Sequence, residues 1–332
     1  TKEMPKWNYV SISGYHIREA GSNAVQELAF TLANGFTYLE LGKQAGLKIE
    51  EFAPRLSFFF NSTMNFFEEI AKFRAARRIW ATVLKEKYGV EDNKALILRF
   101  HTQTSGASLT WQQPMNNIVR TAIEALAAVL GGTQSLHTNS YDEAWALPTE
   151  EAVKVALRTQ QIIAEETGVT STVDPLGGSY YLECLTNELE EGAYRYFDKI
   201  EEIGGVINAI EEGYLQKEIA ETAYRNQLQI EKEKEIIVGV NKYNETEEKP
   251  IKILKVDDKA QEIQIERLKK IKNERNNDKV KETLANLRRT YENDEKNCMY
   301  DTLKAVQAYA TLQEIVDVGR DVFGEWKEPQ IF

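Results

Sequence analysis

Three histidines occur in the 332 residues, His16, His101 and His137, and each keeps polar company. His16 follows Tyr15 and precedes Arg18 and Glu19, while His101 opens the run Thr102, Gln103, Thr104. A neutral imidazole in such surroundings can donate a hydrogen bond to a carbonyl and stabilise negative character on its oxygen. His16 and His101 are read in that role. His137, preceded by Leu136, reads more simply as a core histidine satisfied by a hydrogen bond. A metal centre is the weaker interpretation, because the histidines come singly, without the His-x-x-x-His or Glu-x-x-His spacing that puts two ligands on one helix face; no metal ligand is assigned. No Gly-x-Ser-x-Gly elbow supports a serine hydrolase. Gly131–Gly132 and Gly177–Gly178 match neither phosphate-binding glycine pattern and mark turns.

Strands and helices must carry these residues, and the first 175 residues repeat one design four times. A short β-rich run ends in polar residues and a long amphipathic helical pattern follows. The runs are 8–16, 55–61, 95–103 and 133–140; the helices follow at about 22–41, 63–88, 114–130 and 149–167, several opened by Ser or Thr caps or an early Pro. Strand then helix, repeated, predicts parallel βα units. With His16, Ser57, His101 and Asn139 as strand-end markers, the units recur roughly every 40 residues, which favours a (β/α) barrel with its polar residues at the C-terminal strand ends, where barrel enzymes place chemistry. A closed barrel needs eight strands, and four are visible.

From Asp174 the pattern changes. The turn-rich DPLGGSYY leads into helical pattern over about 185–228, and two short β-like runs, 235–243 and 251–257, flank the polar loop NETEEKP. Lys/Glu-rich helices are expected at about 258–290, 299–310 and 312–322, their charges solvated. The formal net charge of −11 argues against a chain that grips nucleic acid, since phosphate neutralisation needs a basic face. No run approaches the roughly 18 apolar residues of a membrane span, and the N-terminus lacks the features of a signal peptide. A soluble, cytoplasmic protein is expected. Cys184 and Cys298 form no Cys-x-x-Cys pair and are read as buried or incidental thiols. The start at Thr1 rather than Met suggests a partial protein.

The motifs SISGYHIREAG, EFAPRLSFFF, RFHTQTSG, NNIVRTAIEALAAVLGGTQSLHTNSYDEA and DPLGGSYYLE closely resemble the adenosylcobalamin-dependent acyl-CoA mutases, above all the large catalytic chains of the methylmalonyl-CoA mutases. The resemblance runs in register over residues 4–325. It implies an α/β fold: the second half of a (β/α)8 TIM-type barrel in residues 1–175, with four βα units, then a mainly helical post-barrel region with a short β segment in 176–332, and no cobalamin-binding domain. It also implies a radical isomerase that moves a carbonyl-CoA group to the neighbouring carbon.

Residue by residue, Tyr15 and His16 match the family's Tyr-His pair, in which the tyrosine helps expel adenosine from cobalt and the histidine hydrogen-bonds the thioester carbonyl. Gln103 is placed with them as catalytic. Glu19, Asn139 and Glu143 match residues around the adenosyl and corrin side of the pocket, although each could instead be a helix-start cap. Ser57, Lys94, His101 and Gln134 match acyl-CoA contacts. None of the three histidines has Asp two positions before it, so the family's Asp-x-His-x-x-Gly cobalt ligand is not seen. The resemblance therefore implies adenosylcobalamin held mainly by a small partner subunit, a hetero-oligomer, and a G-protein chaperone as a further partner. The barrel half that carries the substrate-carboxylate residues is expected to lie outside this chain, which by itself is expected to be inactive. Isobutyryl-CoA, 2-hydroxyisobutyryl-CoA and ethylmalonyl-CoA mutases remain alternatives, as does a non-catalytic structural or chaperone-like homologue.

Overall fold

Parallel pairing runs through the motif-bearing part of the chain in sequence order. In the computed structural model, which describes residues 4–245, 251–255, 257, 259–293 and 296–329, the strands are β1 (Ser11–Ser13), β2 (Ser57–Ser62), β3 (Phe100–Thr104) and β4 (Ser135–His137). They form one sheet of order β1-β2-β3-β4, every pair parallel. Helices make each crossover: α1 (Tyr15–Glu19), α2 (Ala24–Gln44) and α3 (Ile49–Phe52) lead to β2, α4 (Phe66–Glu86) and α5 (Asn93–Leu96) to β3, and α6 (Asn116–Leu130) to β4. α7 (Glu150–Glu166) follows β4. Caps set the starts: Asn23 and Gln26 exchange side-chain and backbone bonds at α2, and Thr149 accepts from Ala152 N at α7.

Alternation along the strands separates two faces. Phe58, Phe60 and Phe100 point toward the helices and are buried with Phe73 and Trp80 of α4. Phe58 meets Trp80 edge-on at 5.0 Å and Phe60 meets Phe100 at 5.6 Å. The other face carries Ser57, Phe59, Asn61, His101 and Gln103, and rises in register rows, Ser13–Phe59–His101–Ser135 and then Asn61–Gln103–His137.

The markers used for strand ends need correction. Ser57 opens β2, His101 is second in β3, and His16 lies in α1, because Gly14 N–H closes on the Phe59 carbonyl at 2.8 Å and the chain turns into helix. His137 is exposed on the open face, not in the core. Cys184 and Cys298 are free and exposed, so neither is a buried thiol.

Three helices replace the single pattern read over 185–228: α8 (Tyr180–Ile203), α9 (Val206–Glu211) and α10 (Tyr214–Glu231), divided where Gly204, Gly205 and Gly213 take positive φ. The β-like run 235–243 forms only the isolated bridge Val238–Lys242, because Asn241 bonds Ile237 N and the Ile230 and Glu235 carbonyls in place of a ladder. Residues 251–255 hold no strand, and Val256 lies outside the described residues.

Contacts divide the chain into two compact units, Thr1–Leu254 with Pro329–Phe332, and Lys255–Glu328. Residue 175 falls inside the first unit, where Leu182, Leu189, Ala193 and Ile200 of α8 join the core beside α2 and α4. The second unit comprises α11 (Lys259–Glu274), α12 (Asn277–Tyr291), α13 (Met299–Gln307) and α14 (Leu312–Phe323). The expected long helix over 258–290 breaks at Asn276, which caps α12 by accepting from Lys279 N. Val280, Leu287 and Ala305 are buried there, and Arg275 grips both Glu314 oxygens at 2.7 and 2.6 Å. Among the described residues, no helix is long and apolar enough to cross a membrane.

Candidate functional site

The turn after β1 puts Tyr15 over the open face of the sheet. Its ring stacks on Phe59 at 4.9 Å, and Phe59 in turn meets the edge of His101 at 5.0 Å. His101 Nδ1 is 2.7 Å from Ser135 Oγ, and His16 Nδ1 is 3.3 Å from Ser13 Oγ. Burial, and then His137 nearby, lower the His101 pKa, so this imidazole is neutral at neutral pH and can act as a hydrogen-bond donor without carrying charge.

Glu19 ends α1 and is not a helix-start cap. Its Oε1 accepts from Asn61 Nδ2 at 2.6 Å, Ser105 Oγ at 2.8 Å and Gly106 N at 3.0 Å. Gly106 is small for a reason. A Cβ there would lie 3.0 Å from Glu19 Oε2, 3.5 Å from the Tyr15 hydroxyl and 3.6 Å from Asn139 Nδ2, so these three side chains converge round a residue that has none. Burial, reinforced by the Glu19 charge, pushes the Tyr15 phenol up to about 12, and it keeps its proton.

Gln103 Nε2 donates to Asn139 Oδ1 at 2.9 Å. Asn139 is held by its own backbone N–H on Thr104 Oγ1 and by Nδ2 on the Thr104 carbonyl. Glu143 does act locally, accepting from Ser140 N at 2.7 Å within the turn that follows β4.

The remaining sequence-named residues lie toward the beginnings of the strands. Ser57 Oγ donates to the Val10 carbonyl; Gln134 precedes β4 and accepts from Phe100 N at 2.6 Å; Lys94 is exposed on α5, ahead of β3. Ser57 and Asn61 are four residues apart on β2, about 13 Å at strand rise. The candidate residues thus sort into two groups along the strand direction: Tyr15, Glu19, Gln103 and Asn139 at the C-terminal ends, and Ser57, Lys94 and Gln134 near the N-terminal ends, with His101 between them.

Sequence reasoning missed the layer beneath. Glu27, Lys72 and Glu69 have no exposed surface. Lys72 Nζ donates to Glu27 Oε2 at 2.6 Å, to the Asn61 carbonyl at 2.8 Å and to Glu69 Oε2. Arg18 adds a second cation, 3.3 Å from Glu69. Burial raises the Glu27 carboxyl above its ordinary value; at Glu69 burial is outweighed by Lys72 and Arg18, which hold it low. A third buried carboxyl, Glu124, accepts from Ser105 N at 3.1 Å, and burial pushes it well up. The available signal was a lysine within the apolar stripe of IAKFRAA and a glutamate within VQELAF.

A cleft of about 810 Å³ lies beside this layer, lined by Arg18, Thr63, Glu68, Ser108 and Arg120 among others. None of the residues named as catalytic, cofactor or acyl-CoA contacts lines it, so the candidate site is the open sheet face and not this cleft.

The chain is an α/β protein with a four-stranded parallel sheet and polar groups gathered toward the C-terminal strand ends. The methylmalonyl-CoA mutase family model matches residues 1–325, and the chain belongs to that family. It is 50% identical over 327 residues to the mitochondrial methylmalonyl-CoA mutase of Homo sapiens, covering 98% of this chain and 44% of that protein. It is 49% identical over 326 residues to the methylmalonyl-CoA mutase of Rhizobium meliloti (98% and 46%). To the 2-hydroxyisobutanoyl-CoA mutase large subunit of Aquincola tertiaricarbonis it is 47% identical over 332 residues (100% and 59%). The chain spans about half the length of the curated relatives it matches.

Proposed function

We propose that this chain is part of the catalytic large subunit of an adenosylcobalamin-dependent mutase that interconverts methylmalonyl-CoA and succinyl-CoA, its sheet contributing four strands of a (β/α)8 barrel. The observation that carries this is the sorting of the site along the strands. Of the residues matched to acyl-CoA contacts, Ser57, Lys94 and Gln134 lie at or before the strand starts and His101 lies one residue into β3, whereas Tyr15, Gln103, Glu19 and Asn139 gather at the ends. A long thioester lying along the strands would bring its reacting end to the second group. Glu143 sits in the adjoining turn.

The residues present fit an adenosyl group. A carboxylate oxygen, an amide and a phenol meet around Gly106, a donor and acceptor set suited to ribose hydroxyls. Bound adenosylcobalamin supplies an organic radical by homolysis of its cobalt–carbon bond, and in this proposal a small partner subunit holds most of it. The chain's own task is positioning and exclusion of water. Tyr15 stays protonated and packs its ring on Phe59, walling the site. His16, at the first turn of α1, donates to the thioester carbonyl, with Ser13 Oγ beside its other nitrogen. Gln103 is locked to Asn139 through its Nε2.

In the complete enzyme with its partner subunit, His16→Ala should lower kcat by roughly 10²–10³-fold, the scale of one lost electrostatic donor; unchanged turnover overturns the assignment. The match, over the whole of this chain and 59% of that protein, to the large subunit of 2-hydroxyisobutanoyl-CoA mutase favours a second reading, a change of thioester with the same chemistry. Competing assays with methylmalonyl-CoA and 2-hydroxyisobutyryl-CoA separate the two.

A further inference from the structure

Asn61 stands where the sheet loses a neighbour. The odd-numbered residues of β2 direct their backbone groups toward β1: Ser57 N–H reaches the Val10 carbonyl, and the Phe59 carbonyl receives Gly14 N–H. Beyond Gly14 the chain has turned into α1, so among the described residues no strand remains to meet Asn61. Its N–H and C=O would be left buried without partners, which is costly. Two helices supply both. Glu27 Oε1 of α2 accepts from Asn61 N at 2.7 Å, and Lys72 Nζ of α4 donates to the Asn61 carbonyl at 2.8 Å. An apolar pair at these positions could satisfy neither group.

The consequence reaches the site. With its backbone held on both sides, Asn61 has its side chain aimed, and Nδ2 donates to Glu19 Oε1 at 2.6 Å. Each of the three ammonium protons of Lys72 has an acceptor, Glu27, Asn61 or Glu69, so the cluster admits few alternative geometries. Glu69 is itself fixed by Thr63 Oγ1 at 2.8 Å and by Arg18, which also bonds the Ser22 carbonyl after α1. The ion cluster therefore touches α1 and the end of β2 at once, the two elements that carry Glu19 and its partner.

We propose that Lys72 and Glu27 are positioning residues: through the backbone of Asn61 they fix the Glu19 carboxylate in the orientation that receives the ribose of the adenosyl group. This rests on the mutase reading above. Neither residue touches the cofactor; their effect passes through Asn61.

The test uses the complete enzyme with its partner subunit and compares affinity for adenosylcobalamin with affinity for hydroxocobalamin, which has no adenosyl group. Three variants are read. Asn61→Ala cuts the link and leaves the cluster intact. Lys72→Met cuts the cluster. Lys72→Met with Glu27→Gln removes the ammonium and keeps the buried charge balanced, so that it is less destabilised than the single variant. The expected result is a ratio of the two affinities reduced about tenfold or more in Asn61→Ala and in the double variant, on the scale of a hydrogen bond to a charged group, with hydroxocobalamin affinity unchanged. A lowered melting temperature with a wild-type ratio assigns the cluster a structural role only and overturns the proposal. Equal affinities in the wild type would overturn the mutase reading instead. A crystal structure of Asn61→Ala then decides the positioning claim by itself: a displaced Glu19 carboxylate supports it, and one still seated on Ser105 and Gly106 overturns it.

Discussion

Two sets of ion pairs, one in each compact unit, sit in opposite surroundings. In the first, Lys72, Glu27 and Glu69 have no exposed side-chain surface. In the second, Lys279 and Glu282 pair at 3.0 Å with side chains 55% and 59% exposed. The contacts are similar as distances and differ in what surrounds them. Water screens the exposed pair, which contributes little. The buried cluster cannot fall back on water, so each member needs its partners and the group holds one arrangement. Burial turns a charge from a solubilising group into a structural constraint, and the constraint is found in the unit that carries the candidate site.

Substitutions can break this comparison, beginning with the largest effect. Lys72→Met leaves two buried carboxylates short of a cation and should destabilise the first unit by about 3–5 kcal/mol, read from denaturant unfolding of the complete protein. A loss below about 1 kcal/mol would mean the cluster behaves like a surface pair. Arg275 and Glu314 are intermediate: Arg275 is nearly buried and grips both oxygens. Arg275→Met should cost about 1–2 kcal/mol in the second unit.

The same pair gives a pH signature. The Arg275 hydrogen bonds hold the Glu314 carboxyl down to about 2. A depressed carboxyl contributes stability that is fully present above its ordinary value, near 4.5, and is lost as pH falls toward about 2. Melting temperature measured from pH 6 to pH 3 should fall less steeply in Glu314→Gln than in the parent, and parallel curves would contradict the assignment. Within the site, Glu19→Gln removes the second cause of the raised Tyr15 value, and the phenol should titrate closer to its ordinary 10; absorbance titration against the same variant carrying Tyr15→Phe isolates the signal. Smallest of all, Lys279→Met should shift stability by less than about 0.5 kcal/mol.

The same physics decides what could be read from sequence. Four parallel βα units were legible because each strand precedes an amphipathic helix, two of them opened by a side-chain cap, Asn23 before α2 and Thr149 before α7. Strand ends were not legible. Of the β-rich run 95–103 only the part from Phe100 pairs, β3 continuing to Thr104, and β4 is three residues long, because pairing depends on where the neighbouring strand lies. Tyr15, Glu19, Gln103 and Asn139 stood out as polar residues after β-rich runs. Glu27 and Lys72 did not, since on a helix they look like ordinary solvated charges; their partnership spans 45 positions and exists only once α2 and α4 pack over the end of β2.

The most direct test of the central claim, that the site is sorted along the strands, is a crystal structure of the complete protein with the proposed partner subunit, adenosylcobalamin and an acyl-CoA substrate. The thioester should lie beside His16 and Gln103, with the CoA chain running past His101 toward Ser57, and the adenosyl ribose within hydrogen-bond distance of Glu19. A CoA chain lying off the open sheet face, or a thioester at the Ser57 end with the ribose remote from Glu19, would contradict it.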